Sequence, residues 1–461
     1  MPTPADLFLS PDLTEIQARE YLQSLGFRDP VAADGHLQKM AEDLVVRQAL
    51  GRLAPDLIPS LLESPDPDAA LAGLSYYVAA RTGRAMFLDY LREDPRALHV
   101  LIYVLGASPP LSEVLVRTPE YFHWLVPQIE RSAPDRQDHE EELASVFSSV
   151  DDPADALNIL RRWKRREVLR IGTRELLRRE TVQTVAMQLS DVACVAVDFA
   201  LAIVMRQLLE AEGRQNMPGR FAVIATGHLG AQEISYASPL DLLYVYETAG
   251  AEHGNASDAQ TFFTLAGAHL TAALRDETRD GQLYDVALPA YPQSDGRLTA
   301  GSLEEYAEHF SGSADNRERE QLTRTCAAAG DTDLGSRFIA RIQPIVYGAS
   351  ALAGRRDMPV APIEPDHPPY ADIDRLTQGF QLSHGTAHAA LRGAGTLAAL
   401  DAMCKLGLIE ETARRELDHA YIFLRSAEHR RQLGVPENQE QQLVASRERV
   451  REICRSIVHG P

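Results

Sequence analysis

From its start to about residue 150 the chain alternates apolar and polar positions at helical spacing. The clearest case places Leu98, Leu101, Ile102 and Leu105 on one face. Several helices there are predicted to open with one device, a capping side chain followed by proline: Asp66-Pro67, Asp94-Pro95, Thr118-Pro119 and Asp152-Pro153. The cap accepts from free amides of the first turn, where proline has no amide to leave unpaired. Gly106 stands where a C-terminal cap belongs, and the polar run 131–141 (RSAPDRQDHEE) reads as a loop. Two long helices follow from Ala154 to about Ala211. In the first, LRRWKRREVLRIGTRELLRRE, the apolar residues Leu160, Trp163, Ile171 and Leu177 punctuate many arginines. Those arginines form either a solvated basic face or a surface for a phosphate or an acidic partner protein.

Strand patterns occur only between about 221 and 290: Phe221–Thr226, Leu242–Tyr246 and Leu283–Leu288, with a helix over Gln260–Arg275 and a turn at Asp276–Gly281. The expectation is a small mixed α/β unit inside a mostly helical chain. Residues 355–370 (RRDMPVAPIEPDHPPY) read as an irregular linker, and helices resume from Asp372 to about His459, with apolar spacing at Leu391, Leu397, Leu400, Met403 and Leu406. The expected organisation is a helical domain over 1–150, the α/β domain with its leading helices over 151–350, a Pro-rich linker over 351–370 and a helical bundle over 371–461.

Composition narrows the function classes. At 461 residues, 45% hydrophobic and 24% charged, the chain has the makeup of an ordinary globular protein, long enough for two or three domains. A net charge of −20 argues against general nucleic-acid binding, which needs a basic footprint. Cys194, Cys326, Cys404 and Cys454 are far apart without a C-x-x-C pair, and read as reduced thiols in a cytoplasmic protein. No basic segment followed by an apolar core marks a signal peptide at the N-terminus. Val185–Leu208 is strongly apolar, but Asp191, Asp198 and Arg206 make it a buried helix rather than a membrane span.

The candidate chemistry lies in FAVIATGHLGAQEISYASPLDLLYVYE, Phe221–Glu247. A strand, a turn with Gly227 and Gly230, a Ser/Tyr segment and a second strand suit a nucleotide site, where backbone amides approach phosphates and a strand-edge carboxylate holds a metal. The segment resembles the motif G-K-L-G-G-x-E-L-N-x-S-S-D-x-D-L of the glutamine-synthetase adenylyltransferase/adenylyl-removase family. Thr278–Pro292 (TRDGQLYDVALPAYP), Asn316–Asp331 (NREREQLTRTCAAAGD), FQLSHGTAHAALRGAGTLAALDAM and YIFLRSAEHRRQL resemble further segments of that family, as does the basic helix Leu160–Leu177. The likeness covers nearly the whole chain at the length of one of the family's two tandem units. It implies a nucleotidyltransferase-like domain flanked by helical domains, with Mg²⁺ and ATP as cofactors if the unit is active.

Set against the family motif residue by residue, the metal-binding D-x-D falls on Pro239-Leu240-Asp241 and the third Asp on Ala287. The two arginines of R-L-R-P fall on Pro289 and Tyr291, the motif Lys on His228 and its last Gly on Ala231. Nucleotidyl transfer uses two Mg²⁺ held by three carboxylates, and an apolar side chain cannot replace an oxygen ligand. A single electrostatic donor at an active site is worth about 3 kcal/mol, so losing two ligands and two arginines should raise the barrier far more.

The remnant site is therefore Asp241 as a single metal ligand, with Glu233 beside it, and Gly227, Gly230 and Ser238 for the nucleotide. Asp241 also reads as a strand-end cap. His384 and His388 form a weak i, i+4 pair, and Glu428-His429 reads as a polar packing cluster. Three functions stay open. One is a catalytically impaired regulatory or protein-binding module of bacterial nitrogen control, partnered by glutamine synthetase, a PII-type signal protein or a second adenylyltransferase half. The others are an active adenylyltransferase or adenylyl-removing enzyme with a site rearranged around Asp241 and Glu233, and a nucleotide sensor without turnover. Neither nucleic acid nor membrane is an expected partner.

Overall fold

A computed structural model describes residues 2–248, 256–288, 300–312, 316–348, 368, 370–436 and 440–459. Pro289 and Tyr291, and nearly all of the expected 351–370 linker, lie outside these residues. The chain divides into two compact units, one of Met1–Ala133, Arg165–Thr181 and Arg430–Glu437, the other of Pro134–Lys164, Val182–His429 and Asn438–Pro461.

The first unit is helical. Asp66 accepts from the Ala69 amide and Asp94 from the Arg96 and Ala97 amides, so both Asp-Pro pairs start helices as predicted. Thr118-Pro119 does not: the carbonyls of these residues take the Tyr121 and Phe122 amides in a turn, and the helix begins at Tyr121. Gly106 lies within the Pro95–Ala107 helix instead of capping it. A Cβ there would stand 2.9 Å from Ser64 Oγ and 3.0 Å from the Asp66 carbonyl, so this glycine serves close helix packing.

The arginines expected on a solvated face are partly buried. Arg170 is 1% exposed and pairs with Glu167 at 2.7 Å. Arg174 donates to the carbonyls of Gln128, Ile129 and Arg131 and pairs with Glu180. It thus satisfies acceptors left free at the end of the Tyr121–Gln128 helix. Hydrophobic spacing reveals a helix face but not which cations fold back onto backbone carbonyls.

The second unit holds the sheet. The Arg136–Phe147 helix occupies part of the expected 131–141 loop, opened by a reciprocal Asp135/Asp138 capping box. Five strands, β1 (Gly219–Thr226), β2 (Leu240–Thr248), β3 (Val286–Ala287), β4 (Gly301–Ser302) and β5 (Thr325–Gly330), form a mixed sheet in the order β3-β2-β1-β5, with β4 also on β2. β1 runs antiparallel to β2 and β5, whereas β3 and β4 run parallel to β2.

Alternation along the strands directs two cores. Ala222, Ile224, Leu243 and Val245 pack with Tyr306, Phe310, Phe338 and Ile342. Phe221 stacks on Phe263, and the Tyr244 hydroxyl meets Thr271, both partners lying on the Ala256–Arg275 helix. The Val182–Ala211 helix is long and apolar enough to cross a bilayer, yet 67% of its most apolar stretch is buried. It packs on the Ala256–Arg275 helix and β5 as a core helix.

Two strands escape the sequence pattern. β4 has only two residues, and TCAAAG of β5 is alanine-rich, with better helix than strand propensity. Pairing with β1 overrides that preference. The expected Leu283–Leu288 strand shrinks to Val286–Ala287. Among the described residues beyond 370, four α-helices (Ala371–His384, Thr396–Lys405, Glu411–Gln432 and Glu440–His459) enclose a core that includes Ile373, Leu400, Met403, Leu424 and Val450. The whole is mostly α with a small mixed-sheet domain.

Candidate active site

At the end of β1 the chain enters a single helical turn, Gly227–Gly230. Gly227 has φ +57°, and a Cβ there would lie 2.7 Å from Asp241 Oδ2, so the strain and the space both call for glycine. Asp241 is the second residue of β2. Burial pushes its carboxyl above the usual range, against the opposing influence of His228. Across the parallel ladder Asp241 pairs in register with Ala287, so a methyl group neighbours the carboxylate. Pro239 is exposed and immediately precedes β2.

The other remnant residues are engaged in structure. A Cβ at Gly230 would stand 2.2 Å from the Arg324 carbonyl and 2.9 Å from that of Ala225, so the backbone approach it permits is to protein. Ser238 Oγ accepts from the Ser235 amide at 2.9 Å, closing the turn before β2. Glu233 faces the C-terminal helices. Its Oε1 accepts from the Thr396 amide at 2.7 Å, and its Oε2 meets Thr396 Oγ1 at 2.9 Å and Arg324 Nη1 at 3.3 Å. It therefore caps the Thr396–Lys405 helix, which has no side-chain cap of its own.

These contacts belong to a buried network that hydrophobic patterning had missed. Arg324 is 1% exposed and reaches Asp374 Oδ1 at 3.2 Å and Thr377 Oγ1 at 2.9 Å. His228, at the motif-Lys position, meets Asp374 Oδ2 at 2.9 Å, and Thr396 Oγ1 meets Asp374 Oδ1 at 2.6 Å. Burial alone would raise the Asp374 carboxyl, but the Arg324 charge, with His228 and Thr396, holds it well below the usual range. Arg425 donates to the Glu233 carbonyl at 2.6 Å and to Glu428 at 3.1 Å, beneath the Tyr370 ring. Glu428 and His429 are buried, the latter against Tyr236, as the packing reading expected. His384 ends its helix bonded to Ser383, and His388 stands in extended backbone beyond the following turn, just before a short 3-10 helix at Ala389–Leu391. The only sequence signal for the network was that Glu233 and Arg324 each sit in a family-like segment.

A cavity of about 220 Å³ opens beside the network, lined in part by Ala231, Gln232, Glu233, Gly395, Tyr421 and Arg425. It is smaller than the roughly 300–1,000 Å³ usual for a ligand pocket.

Residues 98–341 match the family model for Glutamate-ammonia ligase adenylyltransferase. The chain belongs to that family. Residues 371–459 match the model for GlnD PII-uridylyltransferase. Among curated relatives, the bifunctional glutamine synthetase adenylyltransferase/adenylyl-removing enzyme of Streptomyces avermitilis is 30% identical over 439 residues, covering 88% of this chain and 41% of the relative. The proteins of the same name from Corynebacterium efficiens and Chromobacterium violaceum are each 27% identical, over 90% and 92% of this chain and 42% and 49% of theirs. The chain thus spans less than half the length of these relatives.

Adenylyltransferase relatives point to ATP and a metal as the family's cofactors, so the donor set is the relevant test. Asp241 supplies one carboxylate, its register partner Ala287 supplies none, and neither does Pro239. Glu233 is committed to Arg324 and Thr396. This set does not fit a pair of octahedral Mg²⁺ ions, which need several oxygen ligands each.

Proposed function

We propose that this adenylyltransferase-family unit is catalytically impaired and works as a regulatory or protein-binding module in bacterial nitrogen control. The pairing of Asp241 with Ala287 is the observation that most supports this reading. Two carboxylates on neighbouring strands would face the same metal, and here one of them is a methyl group. The polar side chains around the turn favour the same reading, because they hold the sheet to the C-terminal helices and leave few groups for phosphate. The partners proposed are glutamine synthetase, a PII-type signal protein or a second adenylyltransferase half, in the cytoplasm. Glutamine synthetase comes from the relatives' names, and the PII-type protein from the family matched by residues 371–459.

The test is calorimetric titration with ATP and Mg²⁺, followed by an AMP-transfer assay on glutamine synthetase and a pull-down with the three partners. The expected result is no AMP transfer with retained binding to at least one partner. Mg²⁺-dependent ATP binding with transfer would overturn the reading in favour of an active enzyme. Tight ATP binding without transfer or partner binding would overturn it in favour of a nucleotide sensor.

A further inference from the structure

The cavity beside the polar network lies wholly within the second compact unit and is walled by several separate elements. Val182, Ala186 and Met187 share one side of the first turns of the Val182–Ala211 helix. Leu397 and Ala398 come from the first turn of the Thr396–Lys405 helix, and Tyr421 from the Glu411–Gln432 helix. Small residues keep the space open: Ala186, Ala231, Gly395 and Ala398 all stand on its wall. At Gly395 a Cβ would lie 2.7 Å from Glu233 Oε1, so no larger residue fits there. Two features of the wall are unusual. Met187 is a large apolar side chain, yet it is 50% exposed. Gln232 has φ +58°, a left-handed backbone that only one other non-glycine residue, Arg178, adopts among the described residues. Strain of that kind gathers at ligand clamps.

We propose that this cavity binds a small neutral molecule made of one aromatic ring and one hydrogen-bonding substituent such as a carboxamide. Its volume of about 220 Å³ sets the size. An apolar cavity of roughly 150 Å³ takes benzene, whereas larger ligands need roughly 300 Å³ or more. A ring with a short substituent therefore fits, and a nucleotide does not. The aliphatic wall residues, the Met187 thioether and the Tyr421 ring suit an aromatic face. The two ionised side chains on the wall are already paired, Glu233 with Arg324 and Arg425 with Glu428. An ionic ligand would enter without a counter-charge, at a cost that a neutral one avoids. Gln183 and Gln232, also on the wall, bring side-chain amides that can donate to and accept from the substituent.

The cavity is separate from the remnant metal site, since Gly227, His228 and Asp241 take no part in its wall. It shares Glu233 with the polar network instead. Glu233 caps the Thr396–Lys405 helix through the Thr396 amide, which lies between the wall residues Gly395 and Leu397. A bound ring thus rests on the residues that fix the C-terminal helices to the Gly227–Gly230 turn, and acts as an effector on that joint. Neither a nucleotide nor a partner protein is needed for such binding.

The test titrates the whole chain, carrying isotope-labelled methionine, with benzamide and follows the Met187 methyl signal by NMR, assigned with Met187→Leu. The expected result is a saturable shift, with benzoate binding more weakly than benzamide. Ala398 is exposed, so Ala398→Trp places an indole over the cavity and should weaken benzamide by about tenfold or more. Gln183→Ala should weaken benzamide about fivefold, the scale of one neutral hydrogen bond, and leave toluene unchanged. Circular dichroism checks that both variants fold, and Gln183→Ala decides alone if Ala398→Trp does not. Hydrogen exchange of the Thr396 amide should slow when benzamide is bound. The absence of a saturable Met187 shift, or undiminished binding in folded Ala398→Trp, would overturn the site. Displacement of benzamide by ATP would overturn its separation from the nucleotide site. Equal affinity for benzoate, or equal losses for toluene and benzamide in Gln183→Ala, would overturn the ligand class. An unchanged Thr396 amide would overturn the effector role.

Discussion

Replacing Arg324 with methionine keeps most of the side chain's volume and removes its charge from the centre of the polar network. Two carboxylates, Asp374 and Glu233, then lose their guanidinium, with side chains 9% and 15% exposed. Breaking a buried pair by deleting one partner costs about 3–5 kcal/mol, because a charge is left without compensation. Thr396 still donates to both acids and His228 still meets Asp374, so a loss of about 3 kcal/mol is expected. Urea unfolding followed by circular dichroism measures it. The pH dependence gives an independent check. In the native chain the depressed Asp374 carboxyl contributes stability above the unfolded value of roughly 3.9, and that contribution fades as pH falls through the native value. Without Arg324, burial acts on Asp374 with less opposition, so acid relieves the variant. The stability gap between native and Arg324→Met should therefore narrow as pH falls toward the ordinary carboxylate range. Asp374→Asn added to Arg324→Met should recover part of the loss at neutral pH. A loss below about 1 kcal/mol, or a gap unchanged with pH, would refute the network as described.

Gly230→Ala should be severely destabilising, since its Cβ would stand 2.2 Å from a carbonyl oxygen; soluble yield and thermal melting will report it. Asp241→Asn should stabilise the fold at neutral pH, because burial raises this carboxyl. A raised carboxyl favours the fold below its unfolded pKa and loses that contribution as pH rises, so the gain from Asn should vanish in acid. Placing aspartates at Pro239 and Ala287 together should leave AMP transfer at least about 100-fold below an intact family member, the scale of one missing electrostatic donor. The resemblance sets Pro289 and Tyr291 at the family's arginine positions, and transfer at the level of an intact member would contradict that reasoning.

The helical regions, their Asp-Pro starts and the two long strands were legible because each is written locally, in spacing and capping residues. β5 was not, because TCAAAG prefers helix and becomes a strand only through β1. The register of Asp241 with Ala287 comes from the parallel ladder between β2 and β3, which no local pattern specifies. The role of Glu233 was hidden. Its partners Arg324 and Thr396 are 91 and 163 residues away in the chain, and no periodicity links such positions. Gly230 likewise looked like a phosphate-approach glycine until the Arg324 carbonyl was found against it.

The grip of Glu233 on the Thr396–Lys405 helix has a practical consequence. Bonds from Glu233, Arg324 and His228 on one side to Thr396, Asp374 and Arg425 on the other join parts of the chain that flank the Pro-rich stretch. A chain opened by a single engineered cut in that stretch should copurify as two noncovalent fragments. Each half would then serve as bait for the other, giving a split reporter whose reassembly combines these polar contacts with the packing of Leu382 into the sheet's core.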